Sequence, residues 1–187
     1  MNKIKKISPY FLSTFNFLIF FIPLFLVIQW IFIDAKINNV LSTMNFGIML
    51  KTPEGNINLM TVAWTPMLKL LAFSADMINA LPFLISLFCL KSLFCNYKSG
   101  EIFTVKNAIL YRKLGVLYLI DGLLIQPLSH ALLVLAVTLS NPAGHRYLSI
   151  SFGTPNLSSL FYGTLVIIIS WVMLEASKIS DENKFTV

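Results

Sequence analysis

Four long apolar runs, at residues 11–33, 70–93, 114–139 and 157–174, set the tightest limit on what this chain can fold into. The hydrocarbon core of a bilayer is about 30 Å thick and takes about 20 helical residues to cross, so each run is long enough to span once. A peptide group in lipid has no water to bond, which leaves helices and closed barrels as the spanning structures. Barrel strands are short and alternate in polarity, whereas these runs are continuously apolar. The expected fold is an all-α membrane protein, with residues 1–187 forming a single domain of four transmembrane helices.

Composition points the same way. Of 187 residues, 57% are hydrophobic and 12% charged, against about 25% charged in a soluble domain. With 16 Phe and a mean hydropathy of +0.78, the apolar surface exceeds what a core of this size can hide. The opening MNKIKK is basic, as in a secretory signal. The apolar run behind it is longer than the roughly 7–15 residues of a signal's apolar region, and Ile33-Asp34-Ala35 is a poor cleavage site. The first run is therefore read as an uncleaved span, with Trp30 as an interfacial anchor near its end.

Lysine and arginine favour the cytoplasmic flanks of spans. Lys3, Lys5 and Lys6 precede the first span, and Lys91, Lys98, Lys106, Arg112 and Lys113 surround the link between spans two and three. Lys36, Lys51 and Lys69 are spread over the long first outer loop, and the last loop has only Arg146. Both termini and the middle loop are thus expected in the cytoplasm, with the chain multi-pass in a bacterial inner membrane. The net charge of +6 reflects this bias and contact with anionic lipid; no direct nucleic-acid contact is implied. Cys89 and Cys95 fall at the cytoplasmic end of span two, where thiols stay reduced, and are expected to be unpaired.

In the first outer loop, MNFGIMLKT and INLMTV flank PEGN, a plausible turn between two strands. RYLSISFG in the second outer loop alternates large and small residues. A small extracytoplasmic β-hairpin is expected near residues 46–62, joined into a sheet by a strand near 147–152. Pro23, Pro82 and Pro127 interrupt the first three spans. Each removes a helix hydrogen bond, either to shape the helix for packing or to make a hinge. Ser159 and Gly163 form one small-xxx-small pair, a weak signal for a homo-oligomer.

An ionisable residue within a span normally faces a partner, water or the bundle interior. Asp76, Asp121, His130 and Glu175 therefore make up a candidate intramembrane polar site. Asp121 and His130 are nine residues apart, 2.5 helical turns, so they face nearly opposite sides of one helix. Asp121 and Glu175 are expected in the cytoplasmic half, within reach of Arg112 or Lys113. Such groups fit packing locks, a proton or cation relay, or a ligand contact. No H-E-x-x-H, G-x-S-x-G or Walker motif is present, and His130 with His145 cannot form a histidine-rich metal site. Adjacent Ser129 and His130 are not thereby a nucleophile and base. No enzymatic activity, metal or cofactor is expected.

The longest polar interruption contains GEIFTVKN. Thr104 suits the N-cap of a helix opening at Val105, and Gly100 suits the left-handed residue that ends the preceding helix. Ile102 and Phe103 form a hydrophobic staple or dip into the headgroup zone, and Arg112 with Lys113 then meets the interface. The phrase reads as a cytoplasmic helix–turn–helix connector, with partner docking as its functional reading.

Gly100-Glu101-Ile102-Phe103-Thr104 with Asn107, followed by Arg112-Lys113-Leu114-Gly115, resembles the G-x-[IP]-F-T-x-x-N…LR-x-[IL]-G signature of DUF2975, a bacterial family of four-helix membrane proteins. The end of the chain, from Trp171 through Glu175 to Asp181-Glu182-Asn183-Lys184-Phe185-Thr186-Val187, is similar to the family's acidic closing helix with its [LF]-T-V end. Ala176-Ser177 depart from the acidic-Gly pair often found there. The resemblance implies four spans and no established activity. Members are often encoded beside a small Cro/CI-type helix-turn-helix regulator, which implies a membrane partner for a transcription factor. The expected function is a non-enzymatic sensor or interaction partner of such a regulator, docking through Glu101–Asn107 and Asp181–Val187. The alternatives are a small transporter or toxin-immunity protein using the polar site, or a purely structural subunit.

Overall fold

A computed structural model describes residues 3–33, 49–52, 55–142 and 144–185, with 183–185 as backbone only. It is about 80% helical. Helix α1 covers Lys3–Phe32, α2 Pro66–Ser99, α3 Val105–Ile120, α4 Gln126–Thr138 and α5 Thr154–Phe185. A π-helical turn, Asp121–Ile125, joins α3 to α4 without a break, so Val105–Thr138 forms one span. Four helical stretches are therefore long and apolar enough to cross a membrane. They outrun the apolar runs because the polar flanks continue the helices. At 1.5 Å per residue, stretches of 29 to 34 residues cover headgroup layers as well as hydrocarbon.

The prolines enter these helices in two ways. Pro82 lies inside α2, where its carbonyl accepts a 2.8 Å bond from the buried Ser86 hydroxyl. Pro127 sits in the first turn of α4, directly behind the π turn. There the wider turn accommodates a residue that cannot donate to the preceding helix.

Strands β1 (Met49–Thr52) and β2 (Gly55–Asn58) pair antiparallel, from Met49 opposite Asn58 to Thr52 opposite Gly55. Gly55 has φ +125°, and the Thr52 hydroxyl donates to its carbonyl at 2.8 Å. Period-two alternation puts Leu50 and Ile57 across from each other in a core while Met49 stays exposed. This is the expected hairpin, although residues 46–48, 53 and 54 lie outside the described residues. The expected third strand is not formed: Tyr147–Phe152 has no regular secondary structure. Instead the Thr138 hydroxyl, at the end of α4, donates to the Tyr147 carbonyl at 2.9 Å, and Tyr147 packs on the hairpin's core. That tie takes up a carbonyl which a strand would offer to a neighbour.

The described residues fall into two compact units. The first draws on 1–21, 81–124 and 153–187, and the second on 22–80 and 125–152. In the first unit, α3 and α5 pack antiparallel through small residues at seven-residue intervals. Ala108, Gly115 and Gly122 on α3 and the π turn meet Ser170, Gly163 and Asn156 on α5. A Cβ on Gly115 would lie 2.8 Å from the Gly163 carbonyl oxygen, and one on Gly163 would lie 2.9 Å from the Gly115 carbonyl oxygen. Close approach of this kind substitutes van der Waals contact for the hydrophobic drive that lipid cannot supply. The Ser159–Gly163 pair thus serves a seam within the chain.

The second unit has its own core of Trp30, Ile33, Leu50, Leu59, Ala72, Val134, Ala136 and Val137. Trp30 is part of that core. It faces inward: it is only 4% exposed, donates from Nε1 to Asp76 Oδ2 at 2.7 Å, and meets Trp64 edge-on at 5.2 Å. A carboxylate within a span needs a donor, and that need draws the indole inward. Trp64 in turn donates to the Leu59 carbonyl at 2.7 Å.

Candidate functional site: the turn between α2 and α3

Helix α2 closes with two nested backbone bonds. The Glu101 N–H donates to the Asn96 carbonyl and the Gly100 N–H to the Tyr97 carbonyl, both at 3.0 Å. Gly100 adopts φ +91°, the left-handed conformation that this Schellman ending requires. Four residues later Thr104 caps α3: it is extended, at φ −132° and ψ 148°, and its hydroxyl accepts from the Asn107 N–H at 3.3 Å. Its carbonyl receives the N–H groups of Asn107 and Ala108, both at 3.1 Å.

The centre of the turn is Asn107, which has no solvent exposure. Its Nδ2 donates to the carbonyls of Glu101 and Ile102, at 2.7 and 2.8 Å, and its Oδ1 accepts from Asn96 Nδ2 at 2.6 Å. One amide thereby satisfies two loop carbonyls and cross-links the helices on either side. Only a side chain with paired donors and an acceptor in one plane can do this. Behind it, Ile102 packs against Leu93, Tyr97 and Leu114, and the Tyr97 and Tyr111 hydroxyls lie 2.7 Å apart. Ser170 of α5 donates to the Ala108 carbonyl at 3.0 Å, fixing the first turn of α3. Lys5 of α1 also reaches the turn: a Cβ on Gly100 would lie 2.7 Å from its Nζ.

The motif has two halves. Gly100, Ile102, Thr104 and Asn107 build the turn. Glu101, Phe103, Val105, Lys106, Ile109 and Arg112 are exposed, with Phe103 at 48%. The exposed set mixes apolar side chains with one acidic and two basic residues. The closing phrase is only partly described: Asp181 and Glu182 are exposed on α5, while the side chains of 183–185 and residues 186 and 187 lie outside the described residues.

The four intramembrane candidates do not gather in one place. Asp76 and His130 belong to the second unit, and Asp121 and Glu175 to the first. Asp76 holds Trp30. His130 approaches the Lys51 carbonyl of β1 through Nε2 at 2.9 Å, so Nε2 is the protonated nitrogen. Asp121, opening the π turn, accepts from the Ser159 hydroxyl at 3.1 Å. Glu175 is exposed and pairs with Lys178 one turn on, at 2.8 Å. Cys89 and Cys95 are free thiols, as expected.

Sequence reasoning missed Asn96 and Asn156. Asn156 is buried, donates to the Gly122 carbonyl and accepts from the Gly153 N–H, both at 2.8 Å. Its signal was present in the regular seven-residue spacing of Asn156, Gly163, Ser170 and Ser177, all buried.

Four helices long and apolar enough to cross a membrane, a small hairpin and a locked interhelical turn mark the chain as a membrane protein. The chain belongs to the DUF2975 family, whose description is a protein of unknown function and whose model matches residues 51–187. No curated protein and no solved structure matches it.

Proposed function

We propose that this is a non-enzymatic inner-membrane protein that carries a signal to a cytoplasmic partner docking on the turn between α2 and α3. The observation that carries this reading is the division of the turn into a buried half that builds it and an exposed half that does not. Phe103, Val105 and Ile109 are large apolar groups beside Glu101, Lys106 and Arg112, a mixture typical of the edge of a protein interface. The bias of Lys and Arg supports a cytoplasmic position for this turn and both termini. The family resemblance supplies the class of partner, a small helix-turn-helix regulator. In-cell crosslinking from a photoreactive residue at position 103 tests it, with position 161, on an exposed face of α5, as control. A regulator crosslinked from 103 and not from 161, and released by Glu101→Lys, is the expected outcome. Equal crosslinking from both positions, or none, counts against docking at the turn.

The transport reading draws on Asp76 and Asp121. Both carboxylates hold hydrogen bonds to side chains of their own unit, which favours a packing role for them.

A further inference from the structure

Asn16 places a carboxamide in the middle of α1, a helix whose apolar window has a mean hydropathy of 2.4. Lys6 is ten residues before it and Phe32 sixteen after, so roughly 15 Å and roughly 24 Å of helix separate it from the two ends. An asparagine side chain has no long stem with which to reach the headgroups. Asn79, Asn96, Asn107 and Asn156 in the other spans each hold a polar partner. Asn16 is exposed and, among the described residues, has none. Ser13, one turn earlier, is also exposed and without a bond, whereas Ser8 and Thr14 return their hydroxyls to the Ile4 and Tyr10 carbonyls of their own helix.

Helix α1 packs within the first unit through a different face. Ser8 is fully buried, and the rings of Phe11 and Phe15 meet Phe94 of α2 at 4.8 and 5.3 Å. Ser13, Asn16, Phe17 and Phe20 recur at i, i+3, i+4 and i+7, which sets them together on the nearly opposite side. Phe17 and Phe20 are 61% and 73% exposed. Helix α1 is also the least enclosed span, with 6% of its apolar window buried against 17–33% for the other three. Lipid covers the phenyl rings as well as protein would. It cannot bond a carboxamide, and a polar side chain inside a span is normally paired across helices.

We propose that this face pairs with the same face of a second copy of the chain, the two Asn16 amides bonding each other. Copies inserted in one orientation bring their α1 helices together in parallel about a two-fold axis along the membrane normal. A residue at that axis meets its own counterpart, so it needs a side chain complementary to itself. A carboxamide qualifies: the Nδ2 of one copy donates to the Oδ1 of the other. A lone asparagine in an apolar seam sets register and copy number in coiled coils by the same means. Phe17 and Phe20 flank the pair, and Ser13 lies within a turn of it. The Ser159–Gly163 pair is already taken up by the seam of α3 and α5. The pairing requires no docking at the turn between α2 and α3, so either reading can fail without the other.

Energy transfer between donor- and acceptor-labelled full-length chains in liposomes tests it, with the label on the exposed Cys95 and Cys89→Ala. Transfer should rise with the protein-to-lipid ratio, and Asn16→Leu should move the midpoint to a ratio about ten-fold higher. Asn16→Gln keeps a self-pairing amide and should stay close to the natural chain. An unchanged unfolding temperature shows that Asn16→Leu leaves the fold intact. A second measurement does not depend on that variant: in a chain with Cys89→Ala and Cys95→Ala, oxidation of Phe20→Cys should link two copies, and oxidation of Phe161→Cys on the exposed face of α5 should not. No transfer at any ratio, an unmoved midpoint for Asn16→Leu, or dimers linked from 161 and not from 20 overturns the proposal. So does linkage of position 20 to a different protein in cell membranes with no self-linked dimer.

Discussion

Asn96 and Asn107 lie eleven residues apart on successive helices, and the Nδ2 of one donates to the Oδ1 of the other across 2.6 Å. Neither carries a charge, and neither is exposed enough for water to substitute for its partner. The same Asn107 amide holds the Glu101 and Ile102 carbonyls, so its loss strands three groups at once. A buried polar group without a partner costs about 1–3 kcal/mol. We expect Asn107→Ala to lower stability by about 3 kcal/mol, and Asn107→Asp to do little better because it cannot donate to either carbonyl. Asn96→Ala removes one bond of the three and should cost about 1 kcal/mol. Thermal unfolding in detergent gives the ranking. A smaller loss for Asn107→Ala than for Asn96→Ala would refute the central role of Asn107.

Gly100 is held at φ +91° by the ending of α2. Gly100→Ala forces a side chain into the left-handed region and should cost about 1–2 kcal/mol. Gly100→Asn should cost less, since asparagine tolerates that region. The new Cβ would also meet Lys5 Cε at 2.5 Å, but that is the end of a flexible chain. Adding Lys5→Ala should therefore not rescue Gly100→Ala; rescue would show that crowding, not backbone strain, is the cause.

The α3–α5 seam depends on glycines whose missing Cβ atoms would strike backbone. Gly115→Ala and Gly163→Ala should each destabilise by about 1–3 kcal/mol, the usual range for overpacking. Gly153→Ala is the contrast, because its Cβ would meet nothing nearer than Pro155 Cδ at 3.4 Å. Protease resistance of the purified chain separates the two classes. Equal behaviour of all three variants would mean that the seam is not closely packed.

Trp30→Phe keeps an aromatic ring in the second unit's core while deleting the N–H that reaches Asp76. It should cost about 2 kcal/mol, chiefly by leaving a carboxylate in a span without its donor. Asp76→Asn preserves an acceptor and should be milder. Trp30→Phe and Asp76→Ala should be non-additive, since each removes the same bond. Additive effects in a double-mutant cycle would show that the 2.7 Å bond contributes nothing.

Much of the architecture could be read from residue order. Four apolar runs dictate four helices because an unpaired peptide group is intolerable in lipid. Gly100 and Thr104 announce the end of α2 and the start of α3, since a left-handed stop and a hydroxyl cap are local requirements. The alternation around Leu50 and Ile57 marks the hairpin for a similar reason. Local chemistry of this kind is written within a few residues of where it acts.

What the tertiary structure alone decided concerns partners distant in the chain. Trp30 has the composition of an interfacial anchor, and only the fold brings Asp76, 46 residues away, to its indole. RYLSISFG has the alternation of a strand, but a hydroxyl nine residues earlier ties Tyr147 to the end of α4. The four candidate charges have equal standing in sequence, yet they are divided between two units, and Glu175 is exposed with a lysine one turn away. Asn107 in GEIFTVKN passes for a helix-opening residue until Asn96 and two carbonyls close around it. Spacing fixes which face of a helix a residue occupies; what meets that face depends on how the other helices pack, and no local pattern records it.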